Sequence, residues 1–164
     1  MGKHIKIAAI GGAILLLVIG IGFVAIQFIP AGKHNPPVIN EPAWDSPETR
    51  ALTERTCFDC HSNQTKWPWY AQIAPVSWMI AREVQEGRHQ INYSEWNPNQ
   101  ENEAVEVILQ GEMPPKSYLL MHPEARLNKL ETDQLIAGLQ ATFGDSLEQG
   151  REKGENEENE KDGD

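Results

Sequence analysis

An uninterrupted apolar segment near the N-terminus restricts how this chain can fold. From Ile7 to Ile29 the sequence contains no charged residue, and Gln27 is the only strongly polar side chain. A helix that rises about 1.5 Å per residue needs about 20 such residues to cross a hydrocarbon layer of about 30 Å. The segment therefore predicts a transmembrane helix, which lies within an N-terminal anchor formed by residues 1–30.

A cleaved signal peptide is the alternative interpretation of this segment. Signal peptides have a shorter apolar core of about 7–15 residues, followed by small residues at the cleavage site. The run here is longer and ends in Phe-Ile-Pro at residues 28–30, which favours an uncleaved anchor. Lys3 and Lys6 precede the helix and Lys33 follows it, so the positive-inside tendency places the N-terminus in the cytoplasm. The remainder of the chain is then expected on the periplasmic or outer face.

Charge is distributed unevenly over the 164 residues, whose formal net charge is -10. The last segment, 145–164, has nine acidic and three basic residues, and Leu147 is its only large apolar residue, so it predicts a disordered acidic tail. Residues 31–46 contain three prolines and predict an extended linker. No basic cluster is available to neutralise phosphates, and nucleic-acid binding is therefore not expected.

Between the linker and the tail, apolar residues recur at helical spacing. Ser46 followed by Pro47 is a typical N-cap and first turn, and it predicts a helix that runs towards Cys57. Pro75 predicts the first turn of a second helix, and Gly87 predicts its end. The apolar stripe of the second helix, and thus its expected core face, consists of Val76, Met79, Ile80 and Val84.

Two further helices are predicted towards the C-terminus. One covers Pro98 to Gln110, and Gly111 closes it. The other begins at a capping box formed by Asn128 and Glu131 and ends at Gly144. Its apolar stripe consists of Leu130, Leu135, Ile136, Leu139 and Phe143. Strand patterns are nearly absent, so the predicted fold class is mainly α, with a helical domain at residues 47–144, long loops and one N-terminal transmembrane helix.

The only two cysteines lie in the run Cys57-Phe58-Asp59-Cys60-His61, which has the spacing of a c-type haem attachment motif. Two thiols at this separation can each form a thioether with a haem vinyl group. The histidine that follows the second thiol is then held under the iron as an axial ligand. The motif predicts one covalent haem c per chain, bound by Cys57 and Cys60 and ligated by His61.

Other uses of a Cys-x-x-Cys pair fit this sequence less well. A disulfide redox site usually follows a strand in a βαβ unit, and no strand is predicted before Cys57. A zinc site typically needs four ligands, and His89 and His122 are too far apart in sequence to form the usual pair. A structural disulfide between Cys57 and Cys60 would close a loop too small to stabilise much.

Met113 is the leading candidate for the sixth iron ligand. It lies in a predicted loop, in Gly-Glu-Met-Pro-Pro at residues 111–115, where two prolines stiffen the backbone behind the sulfur. Ligation by methionine and histidine fills both axial positions, as in electron carriers. Ordinary core packing is the alternative for a methionine. Met121 is a weaker candidate, and His89 or His122 would give bis-histidine ligation.

Aromatic residues are frequent after the motif, and they could cover the apolar faces of a haem. General core packing is the alternative for each of them. Arg82 and Arg88 could pair with haem propionates, although exposed positions on a helix surface are the simpler expectation. The aromatic residues are Trp67, Trp69, Tyr70, Trp78 and Trp96.

Longer stretches around these residues resemble the bacterial haem-binding domain family, which consists of small cytochrome c-like proteins. The resemblance spans roughly residues 41–143. It implies a covalent haem c on Cys57 and Cys60, His61 as an axial ligand and a compact, cytochrome c-like helical fold. The stretches that carry it are Cys57 to Tyr70, Ala74 to Trp78, Ser94 to Trp96, Gly111 to Tyr118, and His122 to Ala125.

The predicted function is one-electron transfer on the outer side of a membrane, by a carrier rather than an enzyme. The expected partners are the membrane itself, through residues 7–29, and redox proteins that the sequence does not identify. A haem-based sensor or a ligand-binding module, in which Met113 is displaced by a small ligand, is the alternative. A peroxidase-like enzyme would need an open distal position and an acid-base residue beside it.

Overall fold

The computed structural model describes residues 2–98 and 103–144. These residues are mainly helical, and an isolated bridge between Asn40 and Glu95 is the only β pairing among them. The predicted acidic tail, 145–164, lies outside the described residues. The helices are α1 (Gly2–Ile26), α2 (Pro47–Thr56), α3 (Phe58–His61), α4 (Val76–Gln90), α5 (Ala104–Leu109), α6 (Lys116–Met121) and α7 (129–144), with 3-10 turns at Trp69–Gln72 and Pro123–Ala125.

The chain divides into two compact units. The first contains the residues up to His34 together with Trp67–Glu83. The second contains Asn35–Lys66 and the described residues from Val84 onwards. The attachment motif, helices α2, α3 and α5 to α7, and the main core belong to the second unit.

Helix α1 is long and apolar enough to span a membrane. Its span Ile7–Ile26 has a mean hydropathy of 2.7, and none of it is buried inside the protein. The helix ends at Ile26, three residues earlier than the apolar run predicts. The backbone N–H of Gln27 instead donates to the carbonyl of Val24, which tightens the chain into a turn.

An aromatic cluster forms the core of the second unit. Tyr93 is 2% exposed and stacks on Phe58 and Phe143, with ring centroids 5.9 and 6.3 Å apart. Trp96 stacks on Phe143 at 4.6 Å, so this tryptophan packs in the core. The aliphatic part of the core includes Leu135 and Leu139 of α7 together with Ile91 and Val105.

Both predicted helix caps are confirmed. The side chain of Ser46 accepts a hydrogen bond from the N–H of Thr49 at 3.1 Å, at the start of α2. At the start of α7, Asn128 Oδ1 accepts from the N–H of Glu131, and Glu131 Oε2 accepts from the N–H of Asn128, at 3.0 and 2.9 Å. Because these bonds satisfy amide groups that helix geometry leaves without partners, they define where each helix begins.

Three details of the predicted helices are wrong. Helix α4 does not stop at Gly87 but continues to Gln90. The third predicted helix is shorter, because Pro98 lies in a turn and α5 begins only at Ala104. Helix α6 replaces part of a predicted loop. Pro98 stands between two asparagines in the sequence, and asparagine next to proline favours a turn over the start of a helix.

Three residues of the predicted apolar stripes of α4 and α7 are exposed, namely Val76, Met79 and Leu130. Met79 is 56% exposed, because the buried face of α4 is formed by Ser77, Ala81 and Val84. Those three positions recur at helical spacing, and Met79 falls on the opposite side of the helix. Leu130, in the first turn of α7, is 66% exposed, while Leu135, Leu139 and Phe143 are buried as predicted.

Candidate functional site

The attachment motif is a helical turn directly after α2. Cys57 closes α2 and begins α3, and its carbonyl accepts hydrogen bonds from the N–H groups of Cys60 and His61 at 3.1 and 2.8 Å. This turn brings the two thiols and the imidazole together within a single short element. No disulfide joins Cys57 and Cys60.

The imidazole of His61 is oriented by the backbone after α4. Its Nδ1 lies 3.3 Å from the carbonyl oxygen of Ile91, and the carbonyl of His61 accepts from the N–H of Tyr93 at 2.8 Å. A proton on Nδ1 that is donated to Ile91 leaves the Nε2 lone pair available to a metal. Burial lowers the pKa of His61. Hydrogen bonds to the backbone at Ile91 and Gly87 oppose this effect only in part. The neutral form, which a metal ligand requires, is thereby favoured.

Burial also affects the first thiol of the motif. It raises the pKa of Cys57 to about 11, and a hydrogen-bonding contact between Cys57 Sγ and Thr56 Oγ1, at 3.2 Å, opposes the increase only in part. Without a bound group the Cys57 thiol therefore stays protonated at neutral pH. A thiol of this kind is a poor redox nucleophile, because the thiolate is the reactive species.

Gly87 lets α4 pass very close to the motif. A Cβ atom at this position would lie 2.7 Å from the carbonyl oxygen of Cys60 and 3.1 Å from its Cβ. A side chain of any size would push the helix and the motif apart. The glycine predicted to end α4 is thus used for close helix packing, and the helix continues beyond it.

Asp59, between the two cysteines, connects the motif to α6. Its Oδ2 accepts a hydrogen bond from the hydroxyl of Tyr118 at 2.9 Å, and its Oδ1 accepts from the N–H of Lys66 at 2.8 Å. Tyr118 follows Met113 by five residues. The hydrogen bond therefore ties the segment that contains Met113 to the attachment motif.

The structure places the candidate axial ligands in different surroundings. Met113 lies in the turn between α5 and α6, where its N–H donates to the carbonyl of Val107 at 3.2 Å and its side chain is 39% exposed. The ring of His122 stacks on Tyr118 at 4.2 Å, and its Nδ1 contacts Glu124 at 3.2 Å. His89 is exposed on α4, and Met121 is exposed at the end of α6.

Arg88 stabilises the segment that follows His61. Its Nε donates to the carbonyl of Ser62 at 2.7 Å, and its Nη2 donates to Asn35 Oδ1 and to Thr65 Oγ1 at 3.0 and 2.9 Å. The guanidinium is half-buried, so this arginine is not the exposed helix-surface residue that the sequence suggests. Burial lowers its pKa, and the nearby Glu95 opposes that effect.

The sequence matches a family model described as a haem-binding domain over residues 21–141. The chain belongs to this haem-binding domain family. The match includes the whole attachment motif and continues into α7. Comparisons with curated proteins and with solved structures found no match.

The donor set of this haem-binding domain suits the group that the family binds. Within residues 2–98 and 103–144, no group of three or more His, Cys, Asp or Glu side chains could hold a bare metal ion. A haem carries its own ring of nitrogen ligands, so the protein has to supply only the axial ones. The oriented imidazole of His61, next to two cysteines that form no disulfide, meets that requirement.

Several residues of this haem-binding domain were not predicted from the sequence as parts of the site. They are Asp59, Tyr118, Gly87 and the carbonyl of Ile91. Each acts on the motif through a long-range contact, and a spacing rule along the chain does not reveal such contacts. Gly87 is evident in the sequence, but a glycine in a helical pattern can indicate either the end of the helix or a close approach of the helix to another segment.

Proposed function

We propose that the protein carries one covalent haem c, attached through Cys57 and Cys60 with His61 as the axial ligand. The observation that supports this most strongly is the helical turn from Cys57 to His61, with His61 Nδ1 directed at the carbonyl of Ile91. Each thiol would add across a haem vinyl group, forming a carbon–sulfur bond and transferring its proton to carbon without oxidation or reduction. The burial of Cys57 favours the protonated thiol that this addition uses.

We further propose that Met113 is the sixth ligand and that the protein transfers single electrons. When bound, the haem supplies an iron that alternates between the ferrous and ferric states. The chain's own contribution is to fill both axial positions and to keep the ligand segments in place. The hydrogen bond from Tyr118 to Asp59 supports this role for Met113, because it ties the segment that begins at Met113 to the motif.

The attachment is tested by extracting the purified protein with acid acetone and locating the haem. Haem that stays on the wild-type chain but is removed from a Cys57→Ser, Cys60→Ser double variant is the expected result. Complete extraction from the wild type would overturn the covalent assignment. Mass spectrometry of the chain measures the number of haems, for which one is expected.

The sixth ligand is tested by absorption spectroscopy of the ferric protein. We expect a low-spin spectrum with the far-red methionine-to-iron band, and we expect Met113→Ala to abolish the band. Met121→Ala is the matched control and should leave it unchanged. A high-spin wild-type spectrum with an exchangeable water ligand would contradict the carrier and favour the haem-based sensor.

We also propose that α1 anchors the protein in a membrane, with its N-terminus in the cytoplasm and the haem domain on the periplasmic or outer face. This orientation is supported by Lys3 and Lys6 before the helix, against Lys33 after it. Protease added to intact, wall-free cells should digest the haem domain. Digestion only after the cells are lysed would reverse the proposed orientation.

A further inference from the structure

The end of α1 is hydrogen-bonded to the segment around Ala74, within the first unit. The amide of Gln27 makes two bonds to the backbone of Ala74: its Oε1 accepts from the N–H at 2.9 Å and its Nε2 donates to the carbonyl at 3.2 Å. This paired contact fixes the position of Ala74 relative to the end of the helix. Gln27 is also the one strongly polar residue in the apolar run that contains α1.

Two more contacts connect the residues after α1 to the same segment. Nζ of Lys33 donates to the carbonyl of Ala71 at 2.5 Å and to Oε1 of Gln72 at 2.6 Å. The indole N–H of Trp78 donates to the carbonyl of Ile29 at 3.2 Å. These hydrogen bonds therefore hold residues 71–78 next to the end of α1.

The segment held in this way has an unusual composition. From residue 67 to residue 81 the sequence contains no charged side chain, and it includes three of the five tryptophans. Several of its apolar side chains are exposed: Trp69 is 75% exposed, and the others are Ile73, Val76 and Met79. Phe28 and Ile29, at the end of the apolar run, are also exposed.

An exposed, uncharged surface rich in tryptophan is costly in water and favourable at the boundary of a bilayer. Tryptophan and tyrosine are enriched at this boundary, where an apolar ring and a polar N–H or O–H are both accommodated. The end of a membrane-spanning helix lies at the same boundary. A segment that is hydrogen-bonded to that end is therefore placed at the depth that its composition suits.

We propose that residues 67–79 form an interfacial surface that inserts into the headgroup region of the membrane spanned by α1. Trp69, Ile73 and Met79 are the residues assigned to contact lipid. The proposal rests on the proposed membrane anchor. It gives the anchor a second point of attachment, so that the chain would meet the membrane through a helix and a surface rather than through a helix alone.

The test uses the full-length protein with its haem in vesicles of phosphatidylcholine and phosphatidylglycerol. A nitroxide label is attached to Ile73→Cys, and its collisions with oxygen, which concentrates in lipid, are compared with those of a water-soluble nickel chelate. Leu130→Cys, at an exposed site in the second unit, is the matched control. We expect the label at position 73 to favour oxygen several-fold over the label at position 130.

Equal accessibility of the two labels to the nickel chelate would overturn the proposal. A shift of the main haem absorption band in unlabelled Ile73→Cys would also overturn it, because that residue would then contact haem rather than lipid. If Ile73→Cys does not fold, Trp69→Cys provides the same measurement.

Two further samples separate this proposal from the proposed function. A label at Val18→Cys, in the middle of α1, should be inaccessible to the chelate; accessibility there would show that the anchor itself is wrong. Wild-type protein treated with the label should take up none, because Cys57 and Cys60 are expected to be in thioethers. Labelling of the wild type would count against covalent haem and not against the interfacial surface.

Discussion

The hydroxyl of Tyr118 donates a hydrogen bond of 2.9 Å to the carboxylate of Asp59, inside the attachment motif. Asp59 is also held by the N–H of Lys66 at 2.8 Å, so its carboxylate is a defined anchor point for α6. The segment between Met113 and α6 consists of two prolines, which limit its freedom. The position of Met113 is therefore coupled to the motif through Tyr118.

We predict that Tyr118→Phe weakens methionine ligation without releasing the haem. Loss of a hydrogen bond to a charged group costs about 1.5–3 kcal/mol, which corresponds to a change of about tenfold or more in an equilibrium. The imidazole concentration that displaces half of the sixth ligand should fall by that factor, as measured by loss of the far-red band. Ser117→Ala, at an exposed position on the same helix, is the control. An unchanged imidazole titration in Tyr118→Phe would show that the bond does not position the methionine.

Gly87→Ala should disturb the motif directly, because its Cβ would lie 2.7 Å from the carbonyl oxygen of Cys60. Overpacking of this kind typically costs about 1–3 kcal/mol. We expect a lower unfolding midpoint and a smaller fraction of chains with covalent haem, measured by thermal denaturation and by the ratio of haem absorbance to protein. Gly144→Ala should have neither effect, because no described residue outside its own helix and its chain neighbours lies within 4 Å of the added methyl. Equal behaviour of the two variants would contradict the close packing of α4 on the motif.

Arg88→Lys should destabilise the segment after His61 while leaving the iron ligands intact. A lysine has a single nitrogen and cannot reproduce the geometry with which Arg88 reaches Ser62, Asn35 and Thr65. The free energy of unfolding should fall by about 1–3 kcal/mol in denaturant titrations. Arg126→Lys is the comparison, since the guanidinium of exposed Arg126 donates to a single acceptor among the described residues, the carbonyl of Leu119. A loss of equal size in both variants would argue against a specific role for Arg88.

Acid should weaken the fold through Glu41. Arg50, which donates to both carboxylate oxygens at 2.7 and 2.8 Å, holds the pKa of Glu41 below its ordinary value of 4.5, against a smaller opposing effect of burial. A depressed pKa means that the stabilisation is present above the unfolded-state pKa and is lost as the pH falls through the folded-state value. Between about pH 5 and pH 3 the melting midpoint of the wild type should therefore fall more steeply than that of Glu41→Gln. If the melting midpoints of the two proteins fall equally steeply over this range, Glu41 does not contribute to the loss of stability in acid.

The local part of the fold could be predicted from the sequence. The Ser46 cap and the capping box of Asn128 and Glu131 were predicted correctly because each depends on residues a few positions apart. The starting point of α5 and the existence of α6 were missed. Pro98 fits a turn as well as a helix start, and helices as short as Lys116–Met121 have little periodicity to detect.

The core could be predicted only in part. Leu135, Leu139 and Phe143 recur on one face of α7 and are buried, as their spacing indicates. Met79 shows where the same reasoning fails: this residue belongs to the expected stripe of α4 but is exposed, while Ser77 and Ala81 are buried. Small residues allow helices to pack closely. The spacing of large apolar residues therefore does not show which face of a helix packs against its neighbours.

The sequence by itself determined the apolar segment that can span a membrane, the Cys-x-x-Cys-His motif at residues 57–61 and the mainly helical class. These features depend on composition and on short spacings along the chain, which do not require knowledge of how the helices pack. Only the tertiary structure decided that His61 faces the carbonyl of Ile91, that Gly87 admits α4 against Cys60, and that Tyr118 reaches Asp59. These contacts join residues that are 30, 27 and 59 positions apart, and they exist only after the helices have packed.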